Sequence, residues 1–181
     1  MIQPESRTAG QEHGVVPAGI GVYGTTGRVE KCYRAFGFEL DADYDVVEAG
    51  MTTPRVKEAD FVGKEAHLRQ REEGPAAVLC TLTVDDHTSA SGVKRYMLGR
   101  EPVLGSDGKP LVDAKGRRSY VTSAGAGPSI GKHILMSYLP PEHANVGEKL
   151  QVEFLGEQYP VTVDVVGSTP IFDPENSRIR S

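Results

Sequence analysis

The chain has few cysteines, no long apolar run and no excess of positive charge. Its two cysteines, Cys32 and Cys80, form no metal-binding or redox motif, so a reduced cytosolic protein is the default expectation. No apolar run approaches the length of a membrane span, and residues 1–18 lack the apolar core of a signal peptide. The net charge of −5 argues against a nucleic-acid partner and against an anionic membrane surface.

The length of 181 residues corresponds to one domain, or to a domain and a fraction of another. An apolar fraction of 38% with 25% charged residues is ordinary for a globular protein, and 21 glycines with 12 prolines indicate many turns. Residues 1–14 are polar and show no periodicity. We expect them to form a flexible arm, or to be the start of a piece cut from a longer protein.

The stretch from residue 19 to residue 37 carries the strongest helical pattern. Four of its apolar side chains recur at the i, i+3, i+4 and i+7 positions of one helical face: Val29, Cys32, Tyr33 and Phe36. This spacing predicts a helix over about 26–36. Gly37 stands where helices commonly end through a residue in the left-handed conformation.

Glu30 follows Val29 by about 100° around this helix, at the border between the buried face and solvent. Tyr23 lies seven residues earlier, in a glycine-rich approach. A border carboxylate near an aromatic ring suits a flat, nitrogen-rich ring ligand, which stacks on the tyrosine and donates N–H groups to the carboxylate. A purely structural alternative is an i, i+4 ion pair between Glu30 and Arg34. The pattern alone leaves both open.

After Gly74 and Pro75 the pattern changes from helical to strand-like. A short helix at about 62–72 precedes these two residues, and at least six short strands separated by turn signals follow them. The clearest signals are an apolar run at 76–84, a strand-like run at 94–104 and a hairpin at 148–166. In the second hairpin strand, four side chains alternate onto one face: Tyr159, Val161, Val163 and Val165. We therefore predict an α+β, mainly β fold, a short helical segment followed by a closed antiparallel β-barrel.

Two other patterns do not support a site. Asp41, Asp43 and Asp45 alternate, but the glycine and the later glutamate of a calcium loop are missing at the required positions. The glycine-rich stretch 125–129 lacks a P-loop lysine in register. The five histidines show no ligand spacing, so we predict no metal site.

Three stretches carry a resemblance to a known family. GRVEKCYRAFGFELDADYDVVEAGM (27–51) resembles a characteristic segment of the glycine-cleavage T-protein, or aminomethyltransferase, family. RVKEADFVGKEAHL (55–68) and TPIFDPENSRIRS (169–181) resemble the subgroup fused to flavin-dependent enzymes that oxidise dimethylglycine and sarcosine. The similarity runs from about residue 14 to residue 181. It departs from the family pattern at Gly27, Cys32 and the pair Asp45-Val46.

The resemblance implies a folate site. By position, Glu30 is the glutamate that binds the pterin ring of tetrahydrofolate, and Tyr23 matches a tyrosine that lines the folate site in several members. Arg178, with Arg180, matches a basic residue that reaches the anionic tail of folate in some members, although two arginines near a terminus are also ordinary surface residues. The resemblance implies no catalytic residue here, because the family's assisting aspartate belongs to an N-terminal half that this sequence does not match.

The family's organisation also implies domain boundaries. Residues 15–74 correspond to the tail of the folate-binding subdomain, and residues 75–181 correspond to the C-terminal barrel. The implied activity is tetrahydrofolate-dependent transfer of an aminomethyl or methylene carbon. Any FAD domain would lie upstream of this sequence. The expected partners are folate and either the missing N-terminal half or a flavin oxidoreductase subunit, with no nucleic acid and no membrane.

Three functions remain open from the sequence. The chain is a fragment of a transferase or of an N-methylglycine oxidising enzyme, a folate-binding module without turnover, or a barrel used for protein–protein contact. A demethylating, methyl-transferring relative is a variant of the first. An intact pair of Tyr23 and Glu30 favours the first two over the third. The chain alone is expected to be inactive.

Overall fold

The computed structural model describes residues 8–52 and 55–178, and its regular structure is mainly β. One six-stranded sheet has the order β2-β5-β6-β1-β4-β3, and every neighbouring pair is antiparallel. The strands are β1 (Val78–Val84), β2 (Val103–Leu104), β3 (Val121–Gly127), β4 (Lys132–Leu139), β5 (Lys149–Phe154) and β6 (Glu157–Val166). The predicted fold class, mainly β after a short helical segment, is confirmed.

The two edges of the sheet are joined by the chain that flanks β2 and β3. Val103 donates its backbone N–H to the carbonyl of Ser119 over 3.0 Å, and Val121 donates to the carbonyl of Glu101 over 2.8 Å. An antiparallel sheet whose edges approach in this way is curled, as in a barrel. The hairpin predicted at 148–166 is the pair of β5 and β6.

The run 94–104, predicted as a strand, forms a named strand only at its end, as β2. Glu101 is buried, and its carboxylate accepts the backbone N–H groups of Leu98 and Gly99 over 2.7 and 2.8 Å. Arg100 takes a left-handed backbone conformation with φ 79°. These local bonds fold the preceding chain into a turn, so pairing with β5 begins only at Pro102, whose carbonyl accepts the backbone N–H of Glu153 over 3.1 Å.

Period-2 alternation divides the apolar side chains of the strands between two cores. The barrel interior contains residues from all six strands, among them Cys80, Leu82, Val103, Val121, Leu135, Leu139, Val152, Tyr159, Val161 and Val163. The opposite face of β1 and β4 forms a second core under the helical segment and the loop that follows it: Leu79, Ile134, Met136 and Tyr138, with Val29, Tyr44 and Ala49. Both cysteines are buried and free.

The predicted alternation of β6 holds for Tyr159, Val161 and Val163 but is wrong for Val165. The register against β1 shifts between Thr81, which pairs with Val165, and Leu82, which pairs with Val163. This bulge inserts one residue into β6 and reverses the faces beyond it. Val166 therefore packs against the barrel interior in place of Val165.

The first helical segment is shorter than predicted and lies earlier in the chain. It consists of a π-helical turn, Val22–Thr26, followed by the α-helix α1, Gly27–Glu30. The predicted extent of 26–36 is wrong because Cys32 adopts a left-handed conformation, with φ 53°. Its Sγ lies 3.1 Å from Thr81 Oγ1 on β1. The chain turns there, so Phe36 leaves the predicted buried face and is 91% exposed.

Gly37 takes the predicted left-handed conformation, with φ 81°, in a turn beyond the end of α1. The second helix, α2 (Lys64–Glu73), corresponds to the predicted helix at about 62–72 and buries none of its residues. Of the predicted arm at 1–14, residues 1–7 lie outside the described residues, and Gln11–His13 form one exposed 3₁₀ turn. Among the described helices, none is long and apolar enough to cross a membrane.

Helix α1 rests directly on strand β3 at Gly125. A Cβ atom at this position would lie 3.1 Å from Val29 Cγ2 and 3.6 Å from the backbone carbonyl carbon of Thr25. A side chain here would push the helix away from the sheet, so glycine permits the close approach. This contact sets the height of Glu30 above the turn that joins β3 to β4.

Candidate functional site

A groove of about 550 Å³ runs between the first helical segment and the loop that follows it. Its lining includes the aromatic side chains of Tyr23, Tyr33, Phe36 and Phe38 together with the guanidinium of Arg28. The groove exists because the early end of α1 turns residues 33–38 back alongside the helix. An aromatic-lined groove of this kind fits a flat ring better than an extended polar chain.

Tyr23 stands on the wall of this groove with 82% of its surface exposed. It lies in the π-helical turn Val22–Thr26, where no residue is buried. The exposed ring leaves a face open, and the groove that it lines does not include Glu30 among its lining residues.

A buried ion pair fixes the floor of the groove. Arg28 Nη1 lies 2.9 Å from Glu39 Oε2, and the two side chains are 10% and 0% exposed. Arg28 Nη2 donates to Ser123 Oγ over 2.9 Å. The other oxygen of Glu39 accepts the hydroxyls of Thr122, over 2.7 Å, and Ser123. Both oxygens of this buried carboxylate therefore have hydrogen-bond donors, which replace the water lost on burial.

Glu30 faces away from the groove, toward the turn between β3 and β4. Glu30 is buried, with 5% of its surface exposed. Oε1 accepts the backbone N–H of Ser129 over 2.7 Å, and Oε2 accepts the Ser129 hydroxyl over 2.9 Å. The carboxylate is thus held at both oxygens, and each oxygen keeps a further lone pair for another donor.

The alternative ion pair of Glu30 with Arg34 is absent from the described part of the chain. Arg34 donates to three backbone carbonyls, those of Ala49, Cys32 and Gly167, over 2.8 to 3.2 Å. The early end of α1 places Arg34 in the following loop, so the i, i+4 geometry of a helix does not apply. This structural explanation of Glu30 is therefore wrong.

Arg178 lies close to the same end of α1 through Phe172. Its guanidinium carbon is 5.3 Å from the centre of the Phe172 ring, and the backbone N–H of Phe172 donates to the carbonyl of Glu30 over 3.1 Å. Lys31 reinforces this packing by donating to the carbonyls of Phe172 and Asp173 over 3.2 and 2.8 Å. Arg180 lies outside the described residues.

The structure therefore divides the predicted site residues between two sides of the first helical segment. Tyr23 lines the groove, whereas Glu30 and Arg178 lie toward Ser129 and Phe172. The sequence analysis missed the buried Glu39 and the contact of Ser129 with Glu30. Neither has a local signal, because Glu39 pairs with residues 11, 83 and 84 positions away and Ser129 lies 99 positions from Glu30.

A second buried carboxylate anchors the loop that follows the groove. Glu48 is buried, and it pairs with Arg117 and Lys115 from the turn before β3. Burial alone raises the pKa of Glu48, but hydrogen bonds from Arg117 and Lys115 outweigh it and leave the pKa below its usual value. Arg117 also lies over the Tyr44 ring at 4.3 Å, and that ring stacks on Tyr138 at 3.7 Å between centroids.

Comparison with known proteins gives a consistent family. Dimethylglycine dehydrogenase of Mus musculus mitochondria is 33% identical over 161 residues, which are 86% of this chain and 16% of that protein. An aminomethyltransferase of Synechococcus elongatus is 30% identical over 155 residues, which are 83% of this chain and 37% of that protein. The chain thus spans well under half the length of the relatives that it matches.

A solved structure agrees with the observed fold. The glycine cleavage system aminomethyltransferase T of Bartonella henselae superposes with a TM-score of 0.66, over 81% of this chain and 37% of that protein. At 21% sequence identity this likeness supports the barrel architecture.

The family model that matches is the glycine cleavage T-protein C-terminal barrel domain, over residues 79–173. This range covers just over half of the chain and begins within β1. It includes strands β2 to β6 and the turn that holds Glu30. The predicted resemblance is confirmed: the chain belongs to the glycine cleavage T-protein family through its C-terminal barrel domain.

Proposed function

We propose that this chain is the folate-contacting C-terminal part of a tetrahydrofolate-dependent one-carbon transfer enzyme. The transferred group is an aminomethyl or methylene carbon. The single observation that carries the proposal is the carboxylate of Glu30, which is buried yet held at both oxygens by one turn of the barrel. Membership of the T-protein family and similarity to aminomethyltransferases and dimethylglycine dehydrogenase support the same activity.

The chemistry of Glu30 fits a pterin ring. A fixed carboxylate accepts two parallel N–H donors, and a pterin presents such donors along one edge. Glu30 acts as an orienting group, because it holds the ring while forming no bond to the transferred carbon. Bound tetrahydrofolate supplies the nucleophilic nitrogen that accepts this carbon. Orientation of that nitrogen toward the carbon accelerates transfer by proximity.

Tyr23 and Arg178 are the further folate contacts that we propose. The Tyr23 ring is exposed and suits stacking on an aromatic ligand. Arg178 lies over Phe172 beside the backbone of Glu30, where a guanidinium suits a carboxylate of the ligand tail. Because the two side chains lie on different sides of α1, a ligand that meets both must extend around the end of this helix.

Catalysis requires a partner that supplies the remainder of the site. The chain spans 16% of dimethylglycine dehydrogenase and 37% of aminomethyltransferase. Large apolar side chains are exposed along the first helical region and the loop after it: Val15, Val16, Ile20, Val22, Tyr23, Tyr33, Phe36 and Phe38. Val22, Tyr23, Tyr33, Phe36 and Phe38 line one groove, and an exposed apolar surface of this kind is typical of a protein interface. We infer that it contacts the N-terminal half of a T-protein-like unit or a flavin oxidoreductase subunit, and that the chain alone does not turn over.

The same surface favours a second candidate, a non-catalytic folate-binding or interaction module. The two functions differ in turnover. With the partner half present, a transferase forms methylenetetrahydrofolate from an aminomethyl donor or an N-methylglycine, whereas a module only binds folate. Purification of the chain with its partner, followed by assay of methylenetetrahydrofolate, distinguishes them.

The decisive experiment measures tetrahydrofolate affinity by calorimetric titration of the wild type, Glu30→Ala and Glu30→Gln. We expect Glu30→Ala to weaken binding roughly tenfold to a hundredfold, because a hydrogen bond to a charged group contributes about 1.5 to 3 kcal/mol. Glu30→Gln should lose less, because it keeps one acceptor. Glu153→Ala is the matched control, since Glu153 is an exposed carboxylate on β5. Equal affinity in all four proteins would remove Glu30 from the site.

A further inference from the structure

One residue, Ser129, makes both hydrogen bonds that hold the carboxylate of Glu30. Its backbone N–H lies 2.7 Å from Oε1 and its hydroxyl lies 2.9 Å from Oε2. Ser129 is in the turn between β3 and β4, which closes through bonds from Ile130 and Gly131 to the carbonyl of Gly127 over 3.1 and 2.8 Å. The donor pair is therefore built on a rigid hairpin and not on a free loop.

This arrangement fixes the direction in which Glu30 presents its remaining lone pairs. A glutamate side chain bound at one oxygen still rotates about its last torsion, whereas one bound at both oxygens by a single residue has one orientation. The rotamer freedom of the side chain is lost on folding and not on ligand binding, which is the physical basis of preorganisation. Helix α1 contributes the glutamate, and the barrel contributes its orientation.

The hydroxyl of Ser129 is not needed to form the turn. The turn closes through backbone atoms of Gly127, Ile130 and Gly131, and Ser129 itself is exposed. Among the described residues, the side chain of Ser129 hydrogen-bonds to Glu30 alone. A serine whose hydroxyl serves a buried carboxylate on another element, and not its own turn, is a candidate for a functional role.

We propose that Ser129 is a positioning residue, which orients Glu30 toward the N–H donors of the pterin ring of tetrahydrofolate. This inference rests on the proposed function. Ser129 acts through Glu30, so removal of its hydroxyl lowers folate affinity only while Glu30 is present. The backbone N–H remains in any variant, so the effect of the hydroxyl is partial.

The test is a double-mutant cycle on tetrahydrofolate affinity, with Ser129→Ala, Glu30→Ala and the double variant. We expect Ser129→Ala to weaken binding about three- to tenfold in the wild-type background, the range for one hydrogen bond, and to have no effect in the Glu30→Ala background. Ser129→Thr keeps the hydroxyl and should restore the affinity. Ser106→Ala, at an exposed serine of the hairpin turn 105–109, is the matched control and should bind as the wild type does.

The outcomes separate a failure of the positioning role from a failure of the proposed function. If Glu30→Ala weakens binding and Ser129→Ala does not, the positioning role is overturned and the proposed function stands. Equal weakening by Ser129→Ala in both backgrounds also overturns it, since that result indicates a structural effect on the turn. Unchanged affinity in Glu30→Ala, or no binding of tetrahydrofolate by the wild type with or without a partner half, overturns both proposals.

Discussion

At the scale of single residues, Glu39 carries a carboxylate in the protein interior. Its side chain is fully buried, and its carboxylate accepts Arg28, Thr122, Ser123 and the backbone N–H of Ala35. An ionised carboxylate is tolerated in a protein interior only when donors replace its lost water, and this one has four. The same bonds tie the loop after α1 to strand β3, so the carboxylate maintains the groove.

Glu39→Ala should destabilise the fold by about 3 to 5 kcal/mol. The substitution removes a partner of Arg28, whose side chain is nearly as buried, and leaves the Thr122 hydroxyl without its acceptor at Glu39. Urea unfolding followed by circular dichroism measures the change. Glu153→Ala, at an exposed position of β5, should stay within about 0.5 kcal/mol of the wild type. A similar small loss in Glu39→Ala would show that the Arg28 ion pair adds nothing to stability.

These contacts show why the sequence predicted only part of the candidate site. Glu30 stands out because it borders the predicted apolar helical face, but residue spacing did not show that Glu30 turns toward Ser129 while Tyr23 lines the groove. Glu39 and Ser129 obtain their roles from partners that only the tertiary fold brings near. No periodic rule connects residue 39 with residues 122 and 123, or residue 129 with residue 30. Long-range polar contacts of this kind have no signature in a single sequence.

At the scale of secondary structure elements, the position of α1 depends on one glycine of strand β3. The Cβ of an alanine at residue 125 would lie 3.1 Å from Val29 Cγ2, and Val29 is fully buried. Both the helix and the strand are fixed by other packing, so neither can move freely to make room.

Gly125→Ala should destabilise the protein by about 1 to 3 kcal/mol, the range for overpacking of a tight contact. It should also lower tetrahydrofolate affinity, because any shift of α1 moves Glu30 relative to Ser129. Thermal unfolding and calorimetric titration measure the two effects. The control is Gly24→Ala in the preceding helical turn, where an added Cβ meets nothing within 4 Å. It should be neutral or slightly stabilising. Equal stability of the two variants would contradict the close contact.

The elements that the sequence predicted well are those with local patterns. The hairpin of β5 and β6 alternates with period 2, and the run at 76–84 is apolar, so their strands follow from sequence. The sequence predictions were wrong where a single residue changes the course of the backbone. A bulge reverses the faces of β6 after Val163, and the left-handed Cys32 ends the helix early. Both features lie beside Thr81 on the neighbouring strand β1. The register of β6 shifts next to Thr81, and the Sγ of Cys32 contacts its hydroxyl.

At the scale of the whole molecule, two buried titratable groups have lowered pKa values that make stability depend on pH. His133 on β4 is buried, and its Nε2 lies 3.0 Å from the carbonyl of Met97. A carbonyl only accepts, so Nε2 carries the proton and Nδ1 is an acceptor. Within the described residues, Nδ1 has no hydrogen-bond partner. Burial lowers the pKa of His133, and nearby His87 lowers it further. Glu48 likewise has a lowered pKa, because Arg117 and Lys115 outweigh its burial.

Both lowered pKa values make the folded state less stable as the pH falls. When the pKa of a group is lower in the folded state than in the unfolded chain, the unfolded chain takes up its proton first as the pH falls. For His133 this uptake begins near the ordinary histidine pKa of about 6.5, and for Glu48 it begins near about 4.5. The contribution of these two groups to the free energy of unfolding is therefore complete above about pH 7, and it decreases in two successive stages below that pH.

We expect the free energy of unfolding to decrease between about pH 7 and pH 5, by roughly 1.4 kcal/mol for each unit by which the pKa of His133 is lowered. In His133→Gln, whose amide can still donate to the Met97 carbonyl, this first decrease should vanish while the later decrease from Glu48 remains. Urea unfolding at half-unit pH steps measures both stages. His13→Gln, at an exposed histidine, is the control and should reproduce the wild-type profile. A His133→Gln profile that still declines as steeply between pH 7 and 5 would assign the loss to other groups.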